Sequence, residues 1–143
     1  MMADRTATVT WSGSLTDGAG MIESVGSGAF GPLDVTWASR TEESGGRTSP
    51  EELIAAAHAS CFSMALSHAL VQAGSPPKRL ETSATVTFVP GTGITKSAIR
   101  VRGTVPGIEE AAFLEAAEGA RVGCPVSKAL AAVPEITLDA ALA

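Results

Sequence analysis

Two cysteines carry most of the chemistry open to this sequence. Cys61 and Cys124 stand 63 positions apart and form no CxxC, so neither a zinc knuckle nor a thioredoxin motif applies. One reading makes both of them small buried hydrophobes; the other makes them a redox pair. Cys124 directly precedes Pro125, the arrangement of a helix N-cap followed by proline in the first turn. A sulfur there faces free N–H groups and the positive end of the helix dipole, which lowers a thiol pKa. Cys61 lies inside the apolar run Ala57-His58-Ala59-Ser60-Cys61-Phe62-Ser63-Met64, where burial raises a thiol pKa, so it needs a cation to ionise. No Lys or Arg occurs between Arg47 and Lys78. The cation must come from elsewhere, and Arg40 and Arg47 precede the run. Glu51 could orient such a guanidinium through a bidentate pair. Two thiols able to meet, one of them activated, are the minimum for a two-step peroxide reduction. A thiolate cleaves the O–O bond and becomes a sulfenic acid, and the second thiol condenses with it to a disulfide.

Other candidates are weaker. His58 and Cys61 sit three apart on a helix, but no third metal ligand stands near in sequence. His58 and His68 read as hydrogen-bonded interior or interface histidines, and Met21 and Met64 as core. Ser63 and Ser67 lack an acid–base partner at triad spacing. The glycines at 26–31 and 91–93 are turns, without the strand–loop–helix setting of a phosphate loop. No cofactor and no metal is called for.

The elements that must position the thiols read as follows. Ala7, Val9 and Trp11 alternate with threonines as a strand, Met21 to Val25 is a second and Leu33 to Ser39 a third, separated by Gly-rich turns. Ser49-Pro50-Glu51-Glu52 has the form of a capping box with proline at the first helical position. The helix it opens runs to Ala73 and stops at Gly74, before Pro76-Pro77. At 1.5 Å per residue it is about 36 Å long. It has almost no charge after Glu52, and a helix apolar on nearly all sides is expected to be buried on all sides. Thr82 to Phe88 and Ile94 to Val105 form a hairpin; Glu109 to Arg121 and Cys124 to Leu130 form short helices; Ile136 to Leu142 closes the chain as a strand. The order implies an α+β fold in a single domain, residues 1–143.

Glu51 and Cys61 are ten residues apart, about 15 Å along a straight helix, too far to share one arginine. Either the helix is broken, or Glu51 reaches the thiol of a second subunit. A helix this long and apolar favours the second, a dimer of antiparallel helices.

Composition bounds the function. The 143 residues are 45% apolar and 17% charged, which excludes a disordered chain. A net charge of −5, 4% aromatic residues and no Tyr leave neither a nucleic-acid footprint nor a base-stacking platform. The stretch Leu53 to Val71 contains both histidines and several serines, so it reads as a core helix and no membrane span is expected. The N-terminus lacks signal-peptide character, which makes the cytoplasm the expected location.

The run Thr48-Ser49-Pro50-Glu51-Glu52-Leu53-Ile54-Ala55-Ala56-Ala57-His58-Ala59-Ser60-Cys61-Phe62-Ser63-Met64-Ala65-Leu66-Ser67 resembles the signature helix of the OsmC/Ohr family. Gly123-Cys124-Pro125-Val126-Ser127-Lys128-Ala129-Leu130 resembles its second-cysteine motif, and Glu135-Ile136-Thr137-Leu138-Asp139 its closing strand. Ala7-Thr8-Val9-Thr10-Trp11 and Trp37-Ala38-Ser39-Arg40 fit as well, and His58 places the chain nearer the OsmC branch. The resemblance implies an intertwined α+β homodimer that reduces organic hydroperoxides in defence against oxidative stress, with osmotic stress as a further inducer. Carried over by position, Cys61 is the peroxidatic and Cys124 the resolving cysteine, Glu51 the acid of the family's Pro-Glu motif, and Arg40 the activating arginine, with Arg47 left open. Family reductants are external dithiols, lipoyl groups among them. Two other classes compete: a stress-related binding protein without turnover, and a cysteine hydrolase with His58 or His68 as base.

Overall fold

A computed structural model describes all 143 residues. The elements run β1 (Ala7–Ser12), β2 (Ala19–Val25), β3 (Leu33–Val35), α1 (Trp37–Thr41), α2 (Pro50–Gln72), β4 (Arg79–Val89), β5 (Gly93–Thr104), α3 (Glu110–Gly123), α4 (Pro125–Ala129) and β6 (Glu135–Leu142). The class is α+β, as the sequence indicates. The chain divides into two compact units, Met1–Pro50 and Glu51–Ala143.

In the N-terminal unit, β1, β2 and β3 form an antiparallel sheet in that order. The third strand is shorter than the sequence suggests, ending at Val35 instead of Ser39. Thr36 caps a five-residue helix: its hydroxyl accepts from the Ser39 N–H, and the Ser39 hydroxyl accepts from the Thr36 N–H, at 3.0 and 2.9 Å. This reciprocal cap satisfies two orphan donors. Ser39 Oγ also donates to the Thr48 carbonyl at 3.0 Å, tying α1 to the segment before α2.

In the C-terminal unit, β4 and β5 pair as the expected hairpin, and β6 lies parallel to β5. The crossover from β5 to β6 through α3 and α4 returns the chain to the end where β5 began, which makes parallel pairing possible. The alternation along β4 leaves Leu80, Thr82, Ala84, Val86 and Phe88 half-buried and their neighbours exposed. Gly74, at φ +82°, ends α2; its N–H bonds to the Val71 carbonyl at 3.0 Å and the Ser75 N–H to the Leu70 carbonyl at 2.9 Å. Those two bonds satisfy carbonyls that a helix end would otherwise orphan.

The core joins Phe62, Leu66 and Leu70 of α2, Ile99 and Val101 of β5, and Phe113, Ala117 and Ala120 of α3. Phe113 needs Gly103: a Cβ there would lie 2.6 Å from its ring. The expectation that α2 is buried on all sides does not hold within this chain. Its buried stripe is His58, Phe62, Leu66 and Leu70, one side at i, i+4 spacing, because the unit offers a single sheet to pack on. Met64 is 72% exposed and Val71 50%. By length and composition alone α2 could cross a membrane; here it is the helix that carries the core of its unit.

Candidate active site

The fold brings the two cysteines together. Cys61 sits in the middle of α2, and Cys124 joins α3 to α4 as the residue before Pro125. Their thiols lie side by side, close enough for each to act on the other's proton, and both are reduced. Cys124 is fully buried, whereas Cys61 is half-buried. Burial, with the adjacent Cys124 thiol, pushes the Cys61 thiol above its ordinary value. For Cys124 burial acts upward as well, but the Cys61 thiol, the Val126 and Ser127 N–H groups and the Ser127 hydroxyl together bring it below the ordinary value. Such donors at the start of α4 favour a thiolate. Within its own unit, then, the sulfur at the helix start is the more acidic, and Cys61 has the need for a cation that its mid-helix position implies.

Glu51 occupies the first turn of α2 and is buried. The helix runs unbroken from Pro50 to Gln72, so Glu51 stays about 15 Å from Cys61 along the axis, and the broken-helix alternative is removed. Arg40 lies in the last turn of α1 in the N-terminal unit, its guanidinium 5.9 Å from the Trp37 ring centroid, a cation–π distance. It borders an apolar cavity of about 180 Å³ with Trp11, Leu15 and Trp37. Arg47 is in the turn after α1, its N–H bonded to the Ser44 carbonyl at 3.0 Å.

His58 is the hydrogen-bonded interior histidine that the sequence indicates. The residue is fully buried, with Nδ1 2.7 Å from Ser97 Oγ of β5 and Nε2 2.8 Å from Ser127 Oγ of α4. Both ring nitrogens are thus engaged, and no three His, Cys, Asp or Glu side chains converge as a metal site would need. Burial holds the His58 pKa below the usual imidazole value. His68 is exposed beside Met64 and Val71, on a groove of about 610 Å³ floored by Lys78 and Leu80.

Comparison with known proteins decides the family. Residues 43–139 match the family model of OsmC-like proteins, and the chain is 43% identical over 132 residues, 90% of each protein, to the peroxiredoxin OsmC of Escherichia coli K12. The chain belongs to the OsmC family. Its fold is similar to an OsmC-like protein of unknown function from Vibrio cholerae (TM-score 0.74, 16% identity, 98% of this chain and 100% of that one). It is also similar to the organic hydroperoxide resistance protein OhrB of Bacillus subtilis (TM-score 0.63, 23% identity, 95% and 98%). The family resemblance read from the two cysteine motifs is therefore correct.

Proposed function

We propose that this OsmC-family protein reduces organic hydroperoxides to alcohols through a Cys61 sulfenic acid and a Cys61–Cys124 disulfide, in defence against oxidative stress. Its class, a peroxidase of the peroxiredoxin type, follows from the 43% identity to peroxiredoxin OsmC. The observation that carries the finer reading is the meeting of two reduced thiols 63 residues apart, one partly open to solvent and the other buried behind it.

The Cys61 thiolate attacks the terminal oxygen of the hydroperoxide. The O–O bond breaks, the alkoxide leaves and takes up a proton as the alcohol, and Cys61 retains OH as a sulfenic acid. Cys124 then attacks the Cys61 sulfur; the S–O bond breaks, and hydroxide leaves with the Cys124 proton as water. An external dithiol, a lipoyl group being one such class, restores both thiols by two exchanges and departs as its own disulfide. Arg40 is the assigned cation that offsets the burial of Cys61, with Glu51 orienting it and Arg47 as the alternative.

The same reading takes the protein as a homodimer. An unbroken α2 separates Glu51 from the Cys61 of its own chain, and Met64 and Val71 stand exposed on its outer face, with His68 between them. Antiparallel pairing of two such helices supports Glu51 of one chain meeting Cys61 of the other. The hydrolase alternative gains nothing from the site, since both His58 nitrogens are held by serines.

The test is intact mass before and after one equivalent of cumene hydroperoxide. Loss of two hydrogens per chain, absent in Cys61→Ser, is expected; an unchanged mass would leave two inert thiols and remove the peroxidase mechanism.

A further inference from the structure

The thiol chemistry above makes no use of His58, yet the fold spends three elements on it. The ring is fully buried, and its nitrogens meet hydroxyls from β5 and α4 at 2.7 and 2.8 Å. A buried imidazole of this kind is neutral, so one nitrogen donates and the other accepts. Cys61 lies on α2 one turn beyond His58, and α4 starts immediately after Cys124. The His58–Ser127 bond is thus a strut between the two elements that carry the thiols. Ser127 is the third residue of α4, one turn from Cys124, and its N–H and hydroxyl are among the groups that favour the Cys124 thiolate. At five residues, α4 is too short to hold its shape by its own hydrogen bonds. Its position depends on what it is tied to.

We infer that His58 is a positioning residue for the resolving step: it fixes Ser127, and Ser127 fixes Cys124 Sγ beside Cys61. The inference rests on the roles assigned to the two cysteines. With Nε2–H donating to Ser127 Oγ, and Ser97 donating to Nδ1, the Ser127 hydroxyl proton is free to point at the Cys124 sulfur. There it supports the negative charge that sulfur carries as it attacks. The bond made is Cys124 Sγ–Cys61 Sγ, the bond broken is S–O of the sulfenic acid, and the Cys124 proton leaves in the water formed. The gain is one of orientation: a sulfur displaced by a fraction of its reach loses much of the advantage of an intramolecular reaction.

The experiment follows the Cys61 sulfenic acid in time, by dimedone trapping and intact mass after one equivalent of cumene hydroperoxide. It uses wild type, Ser127→Ala, Ser127→Thr and His58→Asn, with the rate of first oxidation and the melting temperature recorded on the same samples. Relative to first oxidation, disulfide closure is expected to slow roughly tenfold or more in Ser127→Ala and His58→Asn. Ser127→Thr, which keeps the hydroxyl, is expected to recover most of the wild-type rate. Closure at the wild-type relative rate in Ser127→Ala overturns the inference, as does a Ser127→Thr variant that melts like wild type and closes no faster than Ser127→Ala. Where His58→Asn fails to fold, the two Ser127 variants decide. A wild-type protein that never forms a sulfenic acid at Cys61 overturns the peroxidase mechanism, and the strut then has no resolving step to serve; that failure is distinct from unaltered closure in the variants.

Discussion

In the proposed mechanism Cys61 and Cys124 divide the labour of one site by where they stand: mid-helix, and immediately before the start of α4. The division is testable one residue at a time. Cys61→Ser is expected to abolish turnover, measured as hydroperoxide loss under excess dithiol. In buffer free of added thiol, Cys124→Ser is expected to consume about one equivalent per site and then stall with Cys61 held as the sulfenic acid, and a Cys61 that instead goes on to a disulfide would remove Cys124 from the cycle. Arg40→Ala is expected to move the Cys61 thiolate titration upward, and an unchanged titration would point to Arg47. His58 carries a prediction of a different kind. Burial holds its pKa below the unfolded value, so the unfolded chain takes up a proton first as pH falls. Stability from this group is therefore complete above about pH 6.5 and declines as pH drops toward the folded pKa. Thermal melts at pH 7.5 and pH 5 should show a smaller acid loss in His58→Asn than in wild type; equal losses would mean that His58 charges freely in the fold.

The elements show why parts of the fold were legible and parts were not. The start of α2 at Pro50 and its stop at Gly74 are local signals, a capping sequence and a glycine at φ +82°, and both read directly from sequence. The segment 36–39 misled because Trp37 and Ser39 continue the alternation of a strand. The cap that turns it into α1 uses serine, not an acid, three residues after Thr36, so it does not look like the usual capping box. The parallel setting of β6 was not legible either, since strand direction depends on the whole crossover. Gly103 gives this scale its test. A methyl there would meet the fully buried Phe113 ring at 2.6 Å, so the ring or the strand must shift to admit it. Gly103→Ala is expected to cost about 1–3 kcal/mol in chemical denaturation, and an unchanged midpoint would show that the ring can shift.

For the molecule as a whole, the question is what covers α2. Sequence alone could state that so apolar a helix needs covering, but not which side its own sheet takes; the packing of Phe62, Leu66 and Leu70 answers that and leaves Met64 and Val71 outside. Likewise the two thiols are too far apart in sequence for spacing to pair them. Only the family motifs did so, and the serines that hold His58 had no local signature at all. If α2 pairs with its copy in a second chain, Met64→Lys should give a monomer in sedimentation velocity and lose peroxidase activity. A dimer of wild-type strength in that variant would place the contact elsewhere.

The positions of the two cysteines have one more consequence. A bond between them would close a ring holding the second half of α2, the β4–β5 hairpin and all of α3, most of the C-terminal unit. For a ring of about that many residues, chain entropy alone removes roughly 4 kcal/mol of freedom from the unfolded state. The protein would then be hardest to unfold just after it has met an oxidant, and would relax to its looser form only when a reductant arrives, so that the oxidised fraction of the population would be the part that outlasts heat or proteolysis.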